Sequence, residues 1–422
     1  MIILHYFPYF NDYFYKKVRN MKVCGVIAEF NPLHNGHAHF LKQLKAPDGV
    51  GATHVVAVMS GNYVQRGEPA LLPKFERAKT ALACGADVVV ELPTPYALSS
   101  AEGFARAGVA LLAALGCVDV LAFGSECGDI AALKKAAATL DSERCESLLR
   151  YHLEGGISFA EARQKALSEA AGAAIGDLLS TPNNTLGIEY LRAIAALGAP
   201  MTAATVKRVG ADHDAAAPLG DIASASYLRG LVGDNRLVNA LPFMPPDARD
   251  CLTAAGGNGL CPAKTENAEV ALLYRLRQMS LDEFAALPGV SEGLENRLFA
   301  AARQAGSVDE FLSLVKTRRY PLTRLKRLLM AAYLGLTADL VPETPPYIRV
   351  LVATEAGYDV LRAAKAGGCA LPLLTRKGQA DALDPAARAL WEFECNATDL
   401  YGLFLPKLPP CGSDQTAGFV KM

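Results

Sequence analysis

Val23-Cys24-Gly25-Val26-Ile27-Ala28-Glu29-Phe30-Asn31-Pro32-Leu33-His34-Asn35-Gly36-His37 is the segment from which the architecture can be read. Val23 to Ala28 is a short apolar, β-branched run, as a buried strand requires. A polar stretch with Pro32 and Gly36 follows, and a helical pattern begins immediately after it. The order is strand, turn, helix N-terminus, and the turn carries the signature H-x-G-H.

That arrangement suits a nucleoside triphosphate. A helix N-terminus presents unpaired N–H groups and the positive end of a dipole to phosphate, and Gly36 lets the backbone come close where a Cβ would collide. His34 and His37 lie three residues apart and face the same way. Imidazole titrates near ~6.5, and a bound polyphosphate favours its cation. Both rings can then donate to phosphate oxygens as charge moves onto departing pyrophosphate, so the expected catalytic pair is His34 and His37. Metal ligation by His34, His37 and His39 is the competing reading, but no Cys and no second acidic residue stand nearby at ligand spacing. A purely structural turn is another. His39 taken alone reads as an exposed helical histidine. Ser224, Ser226 and Arg229 form a second candidate phosphate site, hydroxyls at a helix start with a cation one turn later, although an ordinary N-cap has the same composition. No G-x-x-x-x-G-K-[ST] and no G-x-G-x-x-G occurs, which argues against P-loop and dinucleotide-binding readings.

Working outward, further β-branched runs at His54–Met59, Asp87–Glu91, Val118–Phe123 and Thr202–Lys207 alternate with helical stretches such as Ala101–Leu115. This is the pattern of a parallel, Rossmann-like α/β sheet, whose strand carboxyl ends share one edge. Those ends carry Glu29, Asn31, Ser60, Asn62, Glu91, Gly124, Ser125, Glu126 and Arg208, expected to converge on one crevice. Residues 241–342 read as helical. Residues 343–422 read as a small C-terminal α/β unit, with a strand at Tyr347–Val352 and a helix at Glu355–Lys365. The catalytic unit is thus expected over 21–240. Residues 1–20 hold seven of the 31 Tyr and Phe, and Met21 directly precedes the first strand, so translation is expected to start at Met21 and 1–20 to be a non-native extension.

The 422 residues suffice for two or three domains. Forty-two Lys and Arg balance 43 Asp and Glu, so any contact with a polyanion must come from a local patch. Ten cysteines with no C-x-x-C are expected to be reduced thiols in a cytoplasmic protein. The longest apolar stretch, Ala107–Val118, is too short to cross a bilayer, which takes ~20 residues.

VIAEFNPLHNGHAHFL at 26–41 resembles the opening of the bacterial tRNA(Met) cytidine acetate ligase family, a branch of the H-x-G-H nucleotidyltransferases. The resemblance continues through the far more specific SGNYVQRGEPA at 60–70, PNNTLGIEYL at 182–191, VKRVGADHD at 206–214, ASASYLR at 223–229 and KTRRYPLTRLKRLL at 316–329. It implies a two-step ligation, in which ATP and acetate give acetyl-adenylate and the acetyl group passes to the exocyclic amine of the wobble cytidine of elongator tRNA(Met). Mg²⁺ is expected to shield the triphosphate. No membrane and no stable protein partner are expected. By the same resemblance the ATP-binding residues are Ile27, Ala28, Glu29, Phe30, Asn31, Pro32, Leu33, His34, Asn35, Gly36, His37, Ala38, His39 and Phe40, with Gly124, Asn184 and Arg208. Leu33 departs from the family's usual Phe, and His39 falls one place early. Independently, Lys316, Arg318, Arg319, Arg324, Lys326 and Arg327 form a cationic run without an acid, with Tyr320 among them. That run suits an RNA backbone, and Tyr320 a stacked base. A small-molecule adenylyltransferase and a non-catalytic RNA-binding protein are the rival readings. Neither accounts for both the intact H-x-G-H and the basic run.

Overall fold

The computed structural model describes residues 21–208, 218–291, 293–416 and the backbone of 420–421. The segment 1–20 and part of VKRVGADHD lie outside the described residues. Strands β1 (Val23–Ala28), β2 (His54–Ser60), β3 (Val88–Leu92), β4 (Val120–Ser125), β5 (Thr202–Lys207), β6 (Ile348–Ala353) and β8 (Val420–Lys421) form one sheet in the order β8-β6-β3-β2-β1-β4-β5, and β7 (Leu373–Leu374) pairs with β6. β1 to β5 run parallel, with β1 at the centre. β2 and β3 are buried along their whole lengths, as strands covered on both faces must be. The helices used below are α1 (Asn35–Lys45), α2 (Lys74–Ala83), α3 (Ala101–Ala114), α4 (Pro182–Ala196), α5 (Ala225–Gly233), α6 (Leu322–Leu334), α7 (Glu355–Ala366) and α8 (Pro385–Tyr401).

The chain winds from β1 to β2 and β3 on one side, then crosses to β4 and β5 on the other. The crevice outside the strand ends at such a reversal is where open α/β sheets take ligands. Here the reversal is physically open. β1 pairs with β2 over six residues but with β4 only at Cys24–Val120 and Gly25–Leu121, so the two strands separate beyond that point. α3 backs β1 closely. A Cβ on Gly108 would lie 2.6 Å from Ile27 Cδ1, and one on Gly25 2.7 Å from Leu112 Cδ1.

The C-terminal segment has the strand–helix–strand pattern read from its sequence, but it continues the main sheet rather than building one of its own. β6 pairs antiparallel with β3 and covers what would otherwise be an open edge. Residues 246–334 are helical, and those from 265 onward close around a second apolar core that includes Leu272, Phe284, Phe311 and Leu329. Among the described residues no helix is long and apolar enough to cross a membrane.

A buried ionic cluster fastens the C-terminal segment to the sheet. Lys74 Nζ lies 2.7 Å from Glu91 and 2.8 Å from Asp414, and Arg349 Nη1 lies 3.1 Å and 3.0 Å from the same two carboxylates. Burial alone would raise the Asp414 pKa, but Lys74 and Arg349 outweigh it and hold the group at about 2. Beside the cluster, Glu394 accepts from Thr94 N and Oγ1 at 2.7 and 2.9 Å. Burial, reinforced by the negative Glu91, pushes Glu394 up to about 8. An unfolded chain releases that proton near ~4.3, so stability contributed through Glu394 is present below that pH and is lost as pH rises toward 8. Glu394→Gln is therefore expected to flatten the decline in urea midpoint between pH 5 and 8. Parallel declines in variant and parent would assign the slope to other groups.

Candidate active site

A cavity of about 730 Å³ occupies the separation between β1 and β4. Its floor is the exit of β1 (Ile27 to Asn31) and of β4 (Ala122 to Gly124), and His34, Gly36 and His37 form one wall. The β1 exit turns sharply at Phe30, whose φ of 46° lies in the left-handed region that bulky residues avoid at a cost of ~1–3 kcal/mol. Its buried ring, set edge-on to His37 at 5.3 Å, helps hold that conformation. Asn31 Oδ1 accepts from Leu71 N at 2.7 Å, and Asn31 O accepts from Arg229 Nη1 at 2.8 Å.

His34 is the N-cap of α1, its Nδ1 accepting from Gly36 N at 3.1 Å. With Nδ1 used as acceptor, the neutral ring carries its hydrogen on Nε2 and can donate from there. The His34 and His37 rings lie 3.9 Å apart, tilted by 32°. A Cβ on Gly36 would come within 2.9 Å of His34 Cε1. Glycine is thus needed here for the fold-back of the His34 ring as well as for close approach of a ligand.

A further part of the wall comes from SGNYVQRGEPA, which forms a hairpin pairing Tyr63–Val64 with Glu68–Pro69. Gln65 and Arg66 at its tip line the cavity, and Gln65 N donates to Glu29 Oε1 at 2.7 Å. Burial raises the Glu29 pKa. Arg77 stitches the strand exits together. Its guanidinium donates to Leu72 O (3.1 Å), Glu29 O (2.6 Å), Ser60 O (3.0 Å) and Gly61 O.

The residues 21–415 match the HIGH nucleotidyl transferase family. Curated relatives named tRNA(Met) cytidine acetate ligase include one from Alkaliphilus metalliredigens, 36% identical over 402 residues (91% of this chain, 94% of that protein), and one from Acetivibrio thermocellus, 37% identical over 421 residues (95% and 100%). The chain belongs to the tRNA(Met) cytidine acetate ligase family of HIGH nucleotidyl transferases. Two solved structures of one relative superpose over 95% of this chain and all of that one at 33% identity: Thermotoga maritima TmcAL in its apo form (TM-score 0.88) and TmcAL bound with alpha-thio ATP (TM-score 0.87).

Of the residues that the family resemblance assigned to ATP, Ile27 to Asn31, His34, Gly36, His37, His39, Phe40, Gly124 and Arg208 line the cavity. The others are not among the lining residues. Pro32 and Leu33 are buried, Asn35 donates to Asp221 O at 2.8 Å, and Ala38 does not line the cavity. Asn184 accepts from Cys127 N at 3.2 Å behind the cavity wall, and its neighbours Asn183 and Thr185 face inward. Ser226 and Arg229 reach the cavity, whereas Ser224 is buried and caps α5 by accepting from Tyr227 N at 3.1 Å.

The expected convergence of five strand ends needs correction. β2 and β3 lie on the side of β1 that the C-terminal segment covers, so Asn62 bonds Lys74 N (2.9 Å) and Thr398 (3.2 Å), and Glu91 joins the ionic cluster. Glu126 accepts from Asn183 and Asn184 at the start of α4, bonds that outweigh burial and hold its pKa down. Tyr320 is also corrected. It is 8% exposed in the helical core, with Arg324 5.3 Å from its ring, and is not presented to a base. Lys316, Arg318 and Arg319 are exposed, Arg324 Nη2 donates to Gly289 O at 2.7 Å, and Lys326 pairs with Glu68 at 2.5 Å. Among the described residues no cluster of three or more His, Cys, Asp or Glu is arranged to hold a metal.

Proposed function

We propose that this protein is an ATP-dependent ligase of the cytoplasm that activates acetate as acetyl-adenylate and transfers the acetyl group to the wobble cytidine of elongator tRNA(Met), forming N(4)-acetylcytidine. The observation that carries this reading is the cavity in the β1–β4 separation, walled by the stacked His34 and His37 at a helix N-terminus.

The triphosphate rests against the N-terminus of α1, where the positive end of the helix dipole, His34 Nε2–H and the His37 ring meet its oxygens. An acetate oxygen forms a bond to the α-phosphorus as the bond to pyrophosphate breaks, and the imidazoles stabilise the charge that leaves. The cytidine amine then attacks the acetyl carbonyl carbon, AMP departs with the bonding electron pair, and the amine loses a proton. Adenylation is needed because acetate is a poor acyl donor and the cytidine lone pair is delocalised into the ring. Among the described residues Glu29 is the single carboxylate lining the cavity, and it would hold Mg²⁺ together with the triphosphate oxygens. When bound there, Mg²⁺ supplies charge shielding of the triphosphate.

Acetate-dependent exchange of pyrophosphate into ATP, followed by mass analysis of the incubated tRNA, tests the reading. Exchange without acetylated cytidine supports a small-molecule adenylyltransferase instead, and RNA binding without exchange a non-catalytic protein. Changing Lys316, Arg318 and Arg319 together to Gln should weaken tRNA binding and reduce the slope of log K against log salt by about 2–3. ATP affinity should hold. Equal damage to both affinities would indicate a folding defect.

A further inference from the structure

The cationic run divides once its side chains are placed. Of the three cations on α6, Arg324 bonds a carbonyl and Lys326 is neutralised by Glu68. Arg327 alone of the run lines the nucleotide cavity, together with Thr323 one turn before it. Among the described residues its guanidinium meets one carbonyl, Gln65 O, at 3.4 Å, the outer limit of a hydrogen bond, and no carboxylate. Burial, reinforced by the nearby Arg324, disfavours its charge. A half-buried arginine without a carboxylate partner, facing a cavity, is placed to receive an anion.

Its wall is not the one that carries the H-x-G-H turn. The family-matched nucleotide residues that line the cavity come from β1 and its exit, α1, β4 and the end of β5. Arg327 stands beside Gln65 and Arg66 on the hairpin wall. That wall is built rigidly, because Gly67, with φ 75°, presses on α6 so closely that a Cβ there would lie 2.3 Å from Arg327 N. The same helix follows directly on the exposed Lys316, Arg318 and Arg319. A cavity of about 730 Å³ falls in the upper part of the ~300–1,000 Å³ range of ligand pockets, room for a second reactant beside a nucleotide.

We propose that Arg327 grips the RNA phosphodiester next to the target cytidine, so that the RNA enters the cavity along the α6–hairpin wall with its reacting base turned toward the H-x-G-H turn. This deepens the ligase reading and rests on it. The fork of an arginine suits two phosphate oxygens, and a lysine at the same place supplies charge without that geometry. Arg327 is therefore a substrate-positioning contact for the second half-reaction, set apart from the exposed cations that draw the RNA in.

Arg327→Ala and Arg327→Lys, in the full-length enzyme, are compared in two assays: acetate-dependent pyrophosphate exchange, and acetyl transfer to tRNA(Met) transcript under single turnover. The alanine variant should lower the transfer rate about 10- to 100-fold, and at least tenfold more than it lowers exchange. The lysine variant should recover part of the rate. Equal losses in both assays would assign Arg327 to the ATP triphosphate and overturn the proposal, as would transfer within twofold of the parent. Absence of exchange and of acetylcytidine in the parent enzyme would instead sink the ligase reading itself. A thermal melt of each variant identifies an unfolded protein, for which Arg327→Lys supplies the deciding comparison.

Discussion

His37→Ala should lower acetate-dependent pyrophosphate exchange about 100- to 1,000-fold, the scale for losing one preorganised donor aimed at developing charge. The side chain is suited to such a test because its backbone role is small. His34 is the N-cap of α1, so its removal mixes lost chemistry with a capping loss of ~0.5–2 kcal/mol. His37 lies inside the first turn, its ring 3.9 Å from that of His34 and edge-on to Phe30. The melting temperature should therefore stay close to that of the parent while exchange collapses. His37→Asn retains a donor and should recover part of the rate. A loss under about threefold would remove His37 from the reaction.

Arg77→Met should destabilise the protein by about 3–5 kcal/mol, read as a shift in urea midpoint. Arg77 is 1% exposed and donates to four carbonyls, which a thioether would leave unsatisfied in a dry interior. Burial lowers its pKa to about 10, opposed by Tyr401, Glu29 and Glu91, so it stays charged at neutral pH. Two of its acceptors, Glu29 O and Ser60 O, are at the exits of β1 and β2. Exchange activity should fall even where the variant remains folded, because the turn that carries His34 loses its brace. Arg77→Lys keeps the charge but not the fork, and should recover only a minority of the loss. A cost below about 1 kcal/mol would mean that solvent reaches these carbonyls.

Local signals carried much of this architecture. The strands at β1 and β5 coincide with their apolar runs, and α3 ends one residue before the position its periodicity indicates. The H-x-G-H turn was legible because all of its parts lie within four residues. What stayed hidden depends on partners far away in sequence. Tyr320 reads as an aromatic among cations, but the apolar helices that bury it span Thr265 to Leu334. Lys326 reads as one more cation until Glu68, 258 residues earlier, is brought against it. Asn62 and Glu91 look like ligands at strand ends until the C-terminal segment covers them. Arg77 carried no signal of its own, since KFERAKTALA reads as an ordinary amphipathic helix. The hints were that Gly61, one of its acceptors, belongs to the specific SGNYVQRGEPA block and that the family resemblance runs on from there through Pro93, across the helix that carries Arg77.

The two-residue ladder between Cys24–Val120 and Gly25–Leu121 means that the cavity is housed in an unzipped seam of an otherwise continuous sheet. Substitutions that drew β4 back alongside β1 would thus yield a sturdier protein with nowhere to put its nucleotide, and thermal robustness and turnover would diverge at this one place in the molecule.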